Sequence, residues 1–563
     1  MYRFLFFSLC FLSGAFEGGF VQAQETYRNP FDFPILLSAN FGELRPNHFH
    51  SGLDFKTQGV EGKPVHAVKS GYVSRIGVSP WGYGNILYVS HPDGTTTVYA
   101  HLQRFEKRIA DYVKEQQYER ESFAVNLTPE PGLFPVRQGE VIALSGNSGG
   151  SGGPHLHFEI RDTKSDEVMD PLLYYQDKIK DDRAPRILGL QICPAKGFGV
   201  VDGSQERQTL KLVTGKDGKQ TISGKIEAWG KVGFSLRAND YITGTGNIYG
   251  VREITLSADT IVLFHSKINQ YALNETRYLN SFVDYPQWRN THAFYTNLFV
   301  EPGNKLRFIQ TVNRGYIYIR KEGTYHLTLQ LKDLHGNTTQ LPIWIEGKEQ
   351  NIEPLDTTGS TFLRWITDNI FGAKGIRLTI PKGNLYDDLH FRYSVQEPEG
   401  AIAAIHRLHD KPVPLHRSAQ LSLRLQKDSL ENKLQYGIVS LHNGRASWIG
   451  GTYRDGWIDG DIREMGSYTV RIDSIPPRIS PVRQAQWLSK KQIAFTITDN
   501  LSGIQSYRGE IDGKFVLFEM DGKNALITYD LDRQRLKTGS HELTLTVTDA
   551  CGNFSVFNHT FTW

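Results

Sequence analysis

An internal repeat of strand-forming sequence is the strongest constraint on how this chain of 563 residues can fold. Residues 323–337 read GTYHLTLQLKDLHGN and align without gaps to residues 539–553, which read GSHELTLTVTDACGN. In both segments apolar and polar residues alternate, which predicts a half-buried β-strand, and the Asp-x-x-Gly-Asn ending favours a tight turn. We therefore expect the C-terminal two thirds of the chain to consist of β modules.

The repeat also has matching beginnings, so it defines whole modules. The sequence APRI at residues 184–187 corresponds to PPRI at residues 476–479. We predict two copies of one β-sandwich: a first repeat copy at residues 184–347, with an insertion near residues 265–315, and a second repeat copy at residues 474–563. The pattern resembles the immunoglobulin-like modules that are common in bacterial envelope proteins.

The rest of the chain is also rich in strand-like sequence. Residues 354–473 contain runs such as IRLTI at residues 376–380 and are predicted to form a β-rich middle domain. Residues 24–183 are predicted to form an N-terminal domain of short β runs broken by glycine. Within that domain, a helix of about four turns is predicted around residues 105–120 by apolar residues at helical spacing, namely Phe105, Ile109, Tyr112 and Val113.

The start of the chain has the features of an export signal. Arg3 supplies a positive charge, residues 4–16 are largely apolar, and VQA at residues 21–23 offers small residues where a signal peptidase cuts. The apolar run is too short to anchor the chain across a bilayer. We predict a cleaved signal peptide at residues 1–23, no transmembrane segment in the mature chain, and a location in the periplasm, the cell envelope or outside the cell.

Composition argues against some classes of function. The 63 Lys and Arg residues nearly balance the 60 Asp and Glu residues, giving a formal net charge of +3, so no nucleic-acid partner is expected. The mature chain keeps Cys193 and Cys551, which lie in different predicted domains, and the sequence leaves open whether they pair. Neither has a cysteine nearby, which disfavours a zinc-thiolate site.

Three short stretches of the N-terminal domain concentrate histidine beside glycine and acidic residues. They read HFHSGLD at residues 48–54, VYAHL at residues 98–102 and GGPHLHFEI at residues 152–160. Alternate residues of a strand share one face, so His155 and His157 can both reach a single site.

The first stretch can contribute to the same site. Gly52 allows the backbone to bend, so that His50 and Asp54 approach one ion, and His101 can join from a neighbouring strand. Two imidazoles and one carboxylate, with water in the fourth position, are typical ligands of a catalytic zinc ion. His48 forms its own His-x-His with His50, and the residues alone do not decide which of the two is a ligand.

The same stretches resemble the signature segments of the LytM/lysostaphin-type zinc peptidases, over about residues 38–175. HSGLD at residues 50–54, YAHL at residues 99–102 and GPHLHFE at residues 153–159 occur in the family's order, and GKPV at residues 62–65 matches a family turn. The fold class is therefore expected to be mostly β, with a LytM-type antiparallel catalytic domain, one inserted helix and several immunoglobulin-like β-sandwiches. The resemblance implies that the ligands of a Zn²⁺ cofactor are His50, Asp54 and His157.

The resemblance also implies roles for other residues and a substrate. His101 and His155 would assist catalysis, and His48 becomes a candidate substrate contact. The implied activity is that of a secreted zinc endopeptidase that hydrolyses peptide crosslinks of bacterial peptidoglycan, with the bond from D-Ala to diaminopimelate as first choice. The alternative is a catalytically silent protein that binds the wall or activates an amidase. The β-sandwich modules are candidate contacts for another envelope protein.

Overall fold

The fold is mostly β, as the sequence predicts. The computed structural model describes residues 26–563, so the predicted export signal at residues 1–23 lies outside the described residues. Within residues 26–563 no helix is both long enough and apolar enough to cross a bilayer. Cys193 and Cys551 are both buried and are not joined in a disulfide.

One antiparallel sheet forms the framework of the N-terminal domain. Its strands and those of a small separate hairpin are β1 Leu37–Ala39, β2 Leu44–Arg45, β3 His48–Phe49, β4 Leu53–Lys56, β5 Pro64–His66, β6 Gly71–Val78, β7 Asn85–Ser90, β8 Thr95–Phe105, β9 Val125–Leu127, β10 Pro135–Val136, β11 Val141–Ser145, β12 His155–Asp162 and β13 Val168–Met169. The main strand order is β1-β4-β12-β8-β7-β6-β10, and β2 pairs only with β3. The histidine-rich segments therefore lie on or beside the adjacent strands β4, β12 and β8.

The predicted inserted helix is present as α1, Lys107–Glu119. Its first turn is capped by Glu106, whose side chain accepts a hydrogen bond from the backbone N–H of Arg108 at 3.1 Å. Ile109, Val113 and Gln117 are the buried residues of the helix, and their spacing gives it a single inward face. The outward face of α1 remains available for other contacts.

The second repeat copy uses that outward face. The guanidinium group of Arg535 lies over the ring of Tyr118, 3.6 Å from its centroid. Lys114 Nζ and Asp532 Oδ2 are 3.3 Å apart, and Arg508 pairs with Glu121, which follows the helix, at 2.7 Å. The last module of the chain therefore packs back on the first domain.

The first repeat copy and its insertion contain the strands β14 Arg186–Val201, β15 Gln208–Leu210, β16 Leu212–Thr214, β17 Gln220–Ile222, β18 Glu227–Asn239, β19 Glu253–Ala258, β20 Ile261–Lys267, β21 Gln270–Tyr271, β22 Thr296–Asn297, β23 Ile309–Thr311, β24 Ile317–Ile319, β25 Gly323–Lys332 and β26 Thr338–Gly347. Ten of them form one sheet with the order β15-β14-β18-β26-β25-β19-β20-β23, with β22 and β24 attached to β18. The insertion also contributes two short helices, α2 Leu279–Phe282 and α3 Tyr285–Thr291.

The middle domain contains the strands β27 Thr361–Leu363, β28 Asn369–Ala373, β29 Ile376–Ile380, β30 Leu389–Phe391, β31 Tyr393–Gln396, β32 Ile405–Leu408, β33 Val413–Arg424, β34 Tyr436–His442, β35 Arg445–Gly450, β36 Thr452–Arg454, β37 Trp457–Met465 and β38 Ser467–Ile472. They form two five-stranded sheets, in the orders β28-β29-β33-β37-β36 and β31-β32-β38-β34-β35, and a small pair, β27-β30. Apolar side chains from both larger sheets share one core.

The second repeat copy contains the strands β39 Arg478–Pro481, β40 Gln492–Thr498, β41 Ile504–Ile511, β42 Lys514–Val516, β43 Glu519–Asp521, β44 Leu526–Asp530, β45 Ser540–Asp549 and β46 Phe554–Thr562. They form two four-stranded sheets, β39-β40-β44-β43 and β42-β41-β45-β46, around a core of their own. A short helix, α4 Trp487–Lys490, precedes β40. An immunoglobulin-like topology for these modules stays a prediction.

The repeated sequence has the same local structure in both copies. In each copy the alternating strand, β25 or β45, pairs with the strand that follows its turn. Asp333 Oδ1 accepts the backbone N–H of Asn337 at 2.8 Å, and its Oδ2 accepts the side-chain amide of Asn337 at 2.7 Å. Asp549 and Asn553 make the same two bonds at 2.8 and 2.7 Å. The Asp-x-x-Gly-Asn sequence is thus a turn in which one carboxylate closes the loop.

The N-terminal domain and the first repeat copy share one hydrophobic core. Phe49 packs against three rings of the insertion, with centroid distances of 5.6 Å to Tyr271, 5.8 Å to Phe282 and 5.6 Å to Phe308. The insertion strand β21 also pairs with β13, which extends the sheet of the N-terminal domain. The backbone of the first histidine-rich segment is therefore buried partly by the next module.

This shared core leads to a prediction about truncation. We expect residues 24–183 alone to unfold at a lower temperature than residues 24–353, because the shorter fragment exposes Phe49 and leaves β13 paired with β12 only. Returning a buried Phe side chain to water costs about 1.5–3 kcal/mol. Thermal unfolding of the two fragments, followed by circular dichroism, measures the difference. Equal midpoints would show that the shared core adds nothing to the stability of the N-terminal domain.

Candidate metal centre

Strand register brings the predicted ligands together. His157 of β12 lies directly opposite Asp54 of β4 on one side and opposite Ala100 of β8 on the other. Side chains of residues that are opposite each other on neighbouring strands point to the same face of the sheet. The register therefore places the carboxylate of Asp54 beside the imidazole of His157, and it places His101 one residue away.

Gly52 is needed for a reason that differs from the predicted bend. A Cβ atom at this position would lie 2.2 Å from the carbonyl oxygen of Phe158 and 2.9 Å from its carbonyl carbon. Because real Cβ atoms do not approach backbone that closely, only glycine lets this segment lie against β12. That close approach brings His50 over the strand that carries His157.

Three predicted ligand atoms converge on one point. His50 Nε2 lies 3.0 Å from Asp54 Oδ1 and 3.0 Å from His157 Nδ1, and His157 Nδ1 lies 2.9 Å from Asp54 Oδ1. The three side chains are buried. Ligand atoms placed about 2.0–2.1 Å from a tetrahedrally coordinated zinc ion are separated by about 3.3 Å, so the spacing fits such an ion with small adjustments.

The outer nitrogen of each imidazole is fixed by an oxygen acceptor. His50 Nδ1 lies 2.7 Å from the carbonyl oxygen of Asn40, and His157 Nε2 lies 2.9 Å from Glu159 Oε1. A carbonyl or a carboxylate can only accept, so these outer nitrogens carry the protons. In the neutral form of each ring, the inner nitrogen then presents its lone pair to the common point, which is the arrangement that metal-binding histidines use.

The electrostatics of the cluster favour a positive charge at its centre. Burial alone would raise the pKa of Asp54, but His50 and His157 hold it well below its ordinary value. Burial alone would lower the pKa of His157, but hydrogen bonds to Asp54 and Glu159 raise it to about 9. The site therefore attracts a cation, and the donor set of two imidazoles and one carboxylate suits a divalent metal such as zinc.

Glu159 is a fully buried carboxylate that lies behind the ligand cluster. Its Oε1 accepts hydrogen bonds from His157 Nε2, from Ser51 Oγ at 2.6 Å and from Tyr83 OH at 2.7 Å. Its Oε2 accepts from Arg161 Nε at 2.7 Å. Burial alone would raise the pKa of Glu159, but Arg161 and His157 hold it well below its ordinary value. Glu159 is thus an ionised acceptor that orients His157.

His101 reaches the site through an irregularity in β8. Between Tyr99 and Leu102 this strand has one residue more than the paired part of β7, which is a β-bulge. His101 has the left-handed φ value of 58°, which is uncommon for a residue other than glycine. The bulge turns the His101 ring toward His155, at a centroid distance of 4.8 Å, and toward His157, at 5.9 Å.

The two additional histidines are held in the same way as each other. His101 Nδ1 lies 2.9 Å from the carbonyl oxygen of Ser148, and His155 Nδ1 lies 2.8 Å from that of Gly153. Both therefore donate from Nδ1 and leave Nε2 free of its proton when neutral. His155 Nε2 lies 3.6 Å from Asp54 Oδ1. Burial and the nearby His157 and His155 lower the pKa of His101 to about 3, and burial also lowers that of His155.

His48 lies outside this cluster. It is exposed, and its Nδ1 is 2.9 Å from the carbonyl oxygen of Pro46. His50, in contrast, is buried within it. The sequence alone could not choose between the two, and the structure brings His50 to Asp54 and His157.

Two loops beside His101 are held by the second repeat copy. Gly149 packs against Gly84 so closely that a Cβ on Gly149 would lie 2.3 Å from Gly84 N. Lys523 donates a hydrogen bond to the carbonyl oxygen of Asn147, next to Ser148. The backbone at Gly522 lies against the ring of Trp81. The wall that positions His101 is therefore contacted by the C-terminal module.

Comparison with known families agrees with this geometry. Residues 48–118 match the model of peptidase family M23. The N-terminal domain is a LytM-type M23 domain. This confirms the resemblance seen in the sequence. Residues 360–473, in the middle domain, match the model of the Zu5-like domain.

The curated relatives match only part of this chain. The DD-carboxypeptidase/endopeptidase Mpg of Neisseria meningitidis serogroup B is 33% identical over 112 residues, which cover 20% of this chain and 20% of that protein. Lysostaphin of Staphylococcus simulans is 29% identical over 155 residues, covering 27% of this chain and 25% of that protein. The solved catalytic domain of lysostaphin is 26% identical, with 24% of this chain and 89% of that chain covered and a TM-score of 0.19. The chain thus spans a quarter or less of the length of these curated relatives.

Sequence reasoning missed the groups that lie behind the ligands. Glu159 could have been predicted from the sequence, since it lies two residues after His157 on the same face of a strand. Tyr83 and Asn40 come from distant segments and carry no local signal. Only the fold brings them to the cluster.

The role of Glu159 can be tested by replacing its charge. We expect Glu159→Gln to lower the affinity of the M23 domain for Zn²⁺ by about 10–100-fold, because His157 loses its ionised acceptor. Competition with a chelator of known affinity measures the change, and thermal unfolding checks the fold. Tyr83→Phe is the matched control, since it removes one donor and keeps the carboxylate. Unchanged zinc affinity in Glu159→Gln would contradict the proposed role.

His50 and His48 provide a second test. We expect His50→Ala to lose bound zinc, because it removes one of three convergent ligand atoms, whereas the exposed His48→Ala variant keeps it and changes activity only modestly. Zinc content of the two purified variants, measured side by side by atomic emission, decides the matter. Loss of the metal in His48→Ala and its retention in His50→Ala would contradict the ligand set.

Proposed function

We propose that this protein is an exported, zinc-dependent endopeptidase that hydrolyses peptide crosslinks of bacterial peptidoglycan. The observation that carries the proposal is the convergence of one carboxylate and four imidazoles on the M23 domain. His50, Asp54 and His157 offer ligand atoms within 4.8 Å of one another, and His101 and His155 lie beside them.

The three ligand residues would hold the metal, and the chain supplies the proton chemistry. A Zn²⁺ ion bound there polarises a peptide carbonyl and makes water acidic. His101 and His155 each keep their Nδ1 proton on a backbone carbonyl and offer Nε2 as a proton acceptor. One of them can take a proton from the attacking water and return it to the leaving amine. The other, once its Nε2 is protonated, can donate a hydrogen bond to the reacting carbonyl oxygen.

The site favours direct attack by water over a covalent enzyme intermediate. Ser51 carries a hydroxyl beside the cluster, and this hydroxyl donates its proton to Glu159 Oε1 at 2.6 Å. Glu159 is ionised and already accepts from His157, Tyr83 and Arg161, so it is not arranged to activate that serine. Direct attack of water on the peptide carbonyl, without a covalent enzyme intermediate, is the chemistry that these contacts support.

The substrate class comes from the relatives and the sequence. Mpg is named as a DD-carboxypeptidase/endopeptidase, and it is 33% identical to this chain over 112 residues. The predicted export signal would deliver the chain to the compartment that contains peptidoglycan. A catalytically silent, amidase-activating protein does not need four imidazoles and a carboxylate, and retaining all five of them favours an active enzyme.

A comparison of variants tests the proposal. Purified protein is expected to bind about one zinc per chain and to cut crosslinked peptidoglycan until a chelator is added. Asp54→Ala and His157→Ala should lose metal and activity together. His101→Ala and His155→Ala should keep zinc and lose turnover by about two to four orders of magnitude.

The measurements are zinc content and release of muropeptides, separated by chromatography. Full zinc with no cleavage of any wall preparation would reject the enzyme and favour the silent wall-binding protein. Loss of zinc from the His101 and His155 variants would show that the roles of the histidines are wrongly divided.

A further inference from the structure

A positively charged cleft separates the first repeat copy from the middle domain. It has a volume of about 710 Å³ and is lined mainly by polar side chains. Its cationic lining residues outnumber its carboxylates, which are Asp410 and Glu464. We call it the basic cleft, and its cationic residues are Arg277, Arg289, Arg407, Lys411 and Arg463.

The carboxylates do not neutralise this charge. Glu464 is already paired: its Oε2 accepts hydrogen bonds from Arg289 Nε, at 2.8 Å, and from the hydroxyl of Tyr285. Arg407 and Lys411 are exposed, and within residues 26–563 neither forms an ion pair with a carboxylate. An excess of guanidinium and ammonium groups in a concave site attracts anions, and carboxylates fit guanidinium groups particularly well.

Two arginines lie close together in the interior of the cleft. Arg277 is partly buried and donates to the backbone carbonyls of Leu415, at 3.0 Å, and Arg463, at 3.3 Å. Burial lowers the pKa of Arg277, and the neighbouring charge of Arg463 lowers it further. An anion bound between these side chains would relieve their repulsion.

A hairpin links the basic cleft to the metal centre. The strands β2 and β3 pair Arg45 with His48, and Asn47 at the tip of this hairpin lines the cleft. The side-chain amide of Asn280 in the insertion donates to Asn47 Oδ1 at 3.1 Å, which fixes the tip. Three residues further along, His50 enters the metal cluster, so the edge of the cleft at Asn47 lies at most about 10 Å from His50 along the chain.

We propose that the basic cleft binds free carboxylates of the peptidoglycan stem peptide on one side of the bond that is cut. This inference rests on the proposed function. A peptide whose scissile carbonyl lies at the metal centre reaches the cleft after about three extended residues. Stem peptides carry free carboxylates at their acidic residue and at their C-terminus, within such a distance of a crosslink. The cleft would thus hold the substrate in register for cleavage.

Charge removal on the exposed rim tests the proposal. The test variant is Arg407→Gln with Lys411→Gln, and the matched control is Arg364→Gln with Lys382→Gln, which removes the same charge from exposed positions of the middle domain that do not line the cleft. The full chain is pelleted with purified Gram-negative sacculi to obtain a dissociation constant. We expect this constant to rise by about tenfold or more in the test variant, since two charge-assisted contacts are lost, and to stay unchanged in the control.

Chemical amidation identifies the ligand. Sacculi whose free carboxylates have been amidated should bind the wild-type chain as weakly as unmodified sacculi bind the test variant. The test variant should also raise KM for a crosslinked muropeptide more than KM for its amidated form. Equal binding by the test and control variants would overturn the proposal, and so would binding that survives amidation. Cleft-dependent binding to phosphatidylglycerol vesicles but not to sacculi would assign the site to phosphate and also overturn it.

The result separates this inference from the proposed function. Binding is also measured with Asp54→Ala, which is expected to be inactive and leaves the cleft intact. If the wild-type chain cuts no peptidoglycan but carboxylate-dependent binding at the cleft persists, the proposed function fails and carboxylate recognition stands. If the chain cuts crosslinks while the test and control variants bind alike, the cleft proposal alone fails.

Discussion

The metal centre depends on a buried carboxylate that a bound ion would not touch. Glu159 accepts hydrogen bonds from His157, Ser51, Tyr83 and Arg161, so it joins β12, the Gly52 segment and the loop before β7 at one point. A buried charge is tolerated only when its hydrogen bonds are complete. Displacing one of these elements would remove a hydrogen bond that the buried carboxylate accepts. The same network that fixes the tautomer of His157 therefore also fixes the loops that form the walls of the site.

The sequence predicts the parts of the site that depend on local geometry. His155 and His157 share a face because strand side chains alternate, and α1 follows from the spacing of Ile109 and Val113. His101 is different, since simple alternation does not account for a bulge with a left-handed residue that turns its ring toward the other histidines. The identity of His50 as the convergent histidine came from a family resemblance. These features depend on contacts between distant segments, which spacing along the chain does not encode.

The modules surround the site more closely than a chain of independent domains would. The insertion of the first repeat copy buries Phe49 beneath the first histidine-rich segment, and Asn280 holds the tip of the adjacent hairpin. The middle domain supplies three of the five cationic residues of the basic cleft, and the second repeat copy contacts the loop that carries Ser148. The β modules are thus positioned to influence which substrates reach the metal, while the chemistry stays on one sheet.

The contacts between α1 and the last module have a consequence for biosynthesis. Arg508 and Glu121 are 387 residues apart in sequence, and Lys114 and Asp532 are 418 apart. Contacts of such separation form late, because the intervening chain must first be made and folded. During N-to-C-terminal synthesis, the loop beside His101 would lack its contact with Lys523 until nearly the whole polypeptide has emerged from the ribosome. The wall of the site would therefore be completed last.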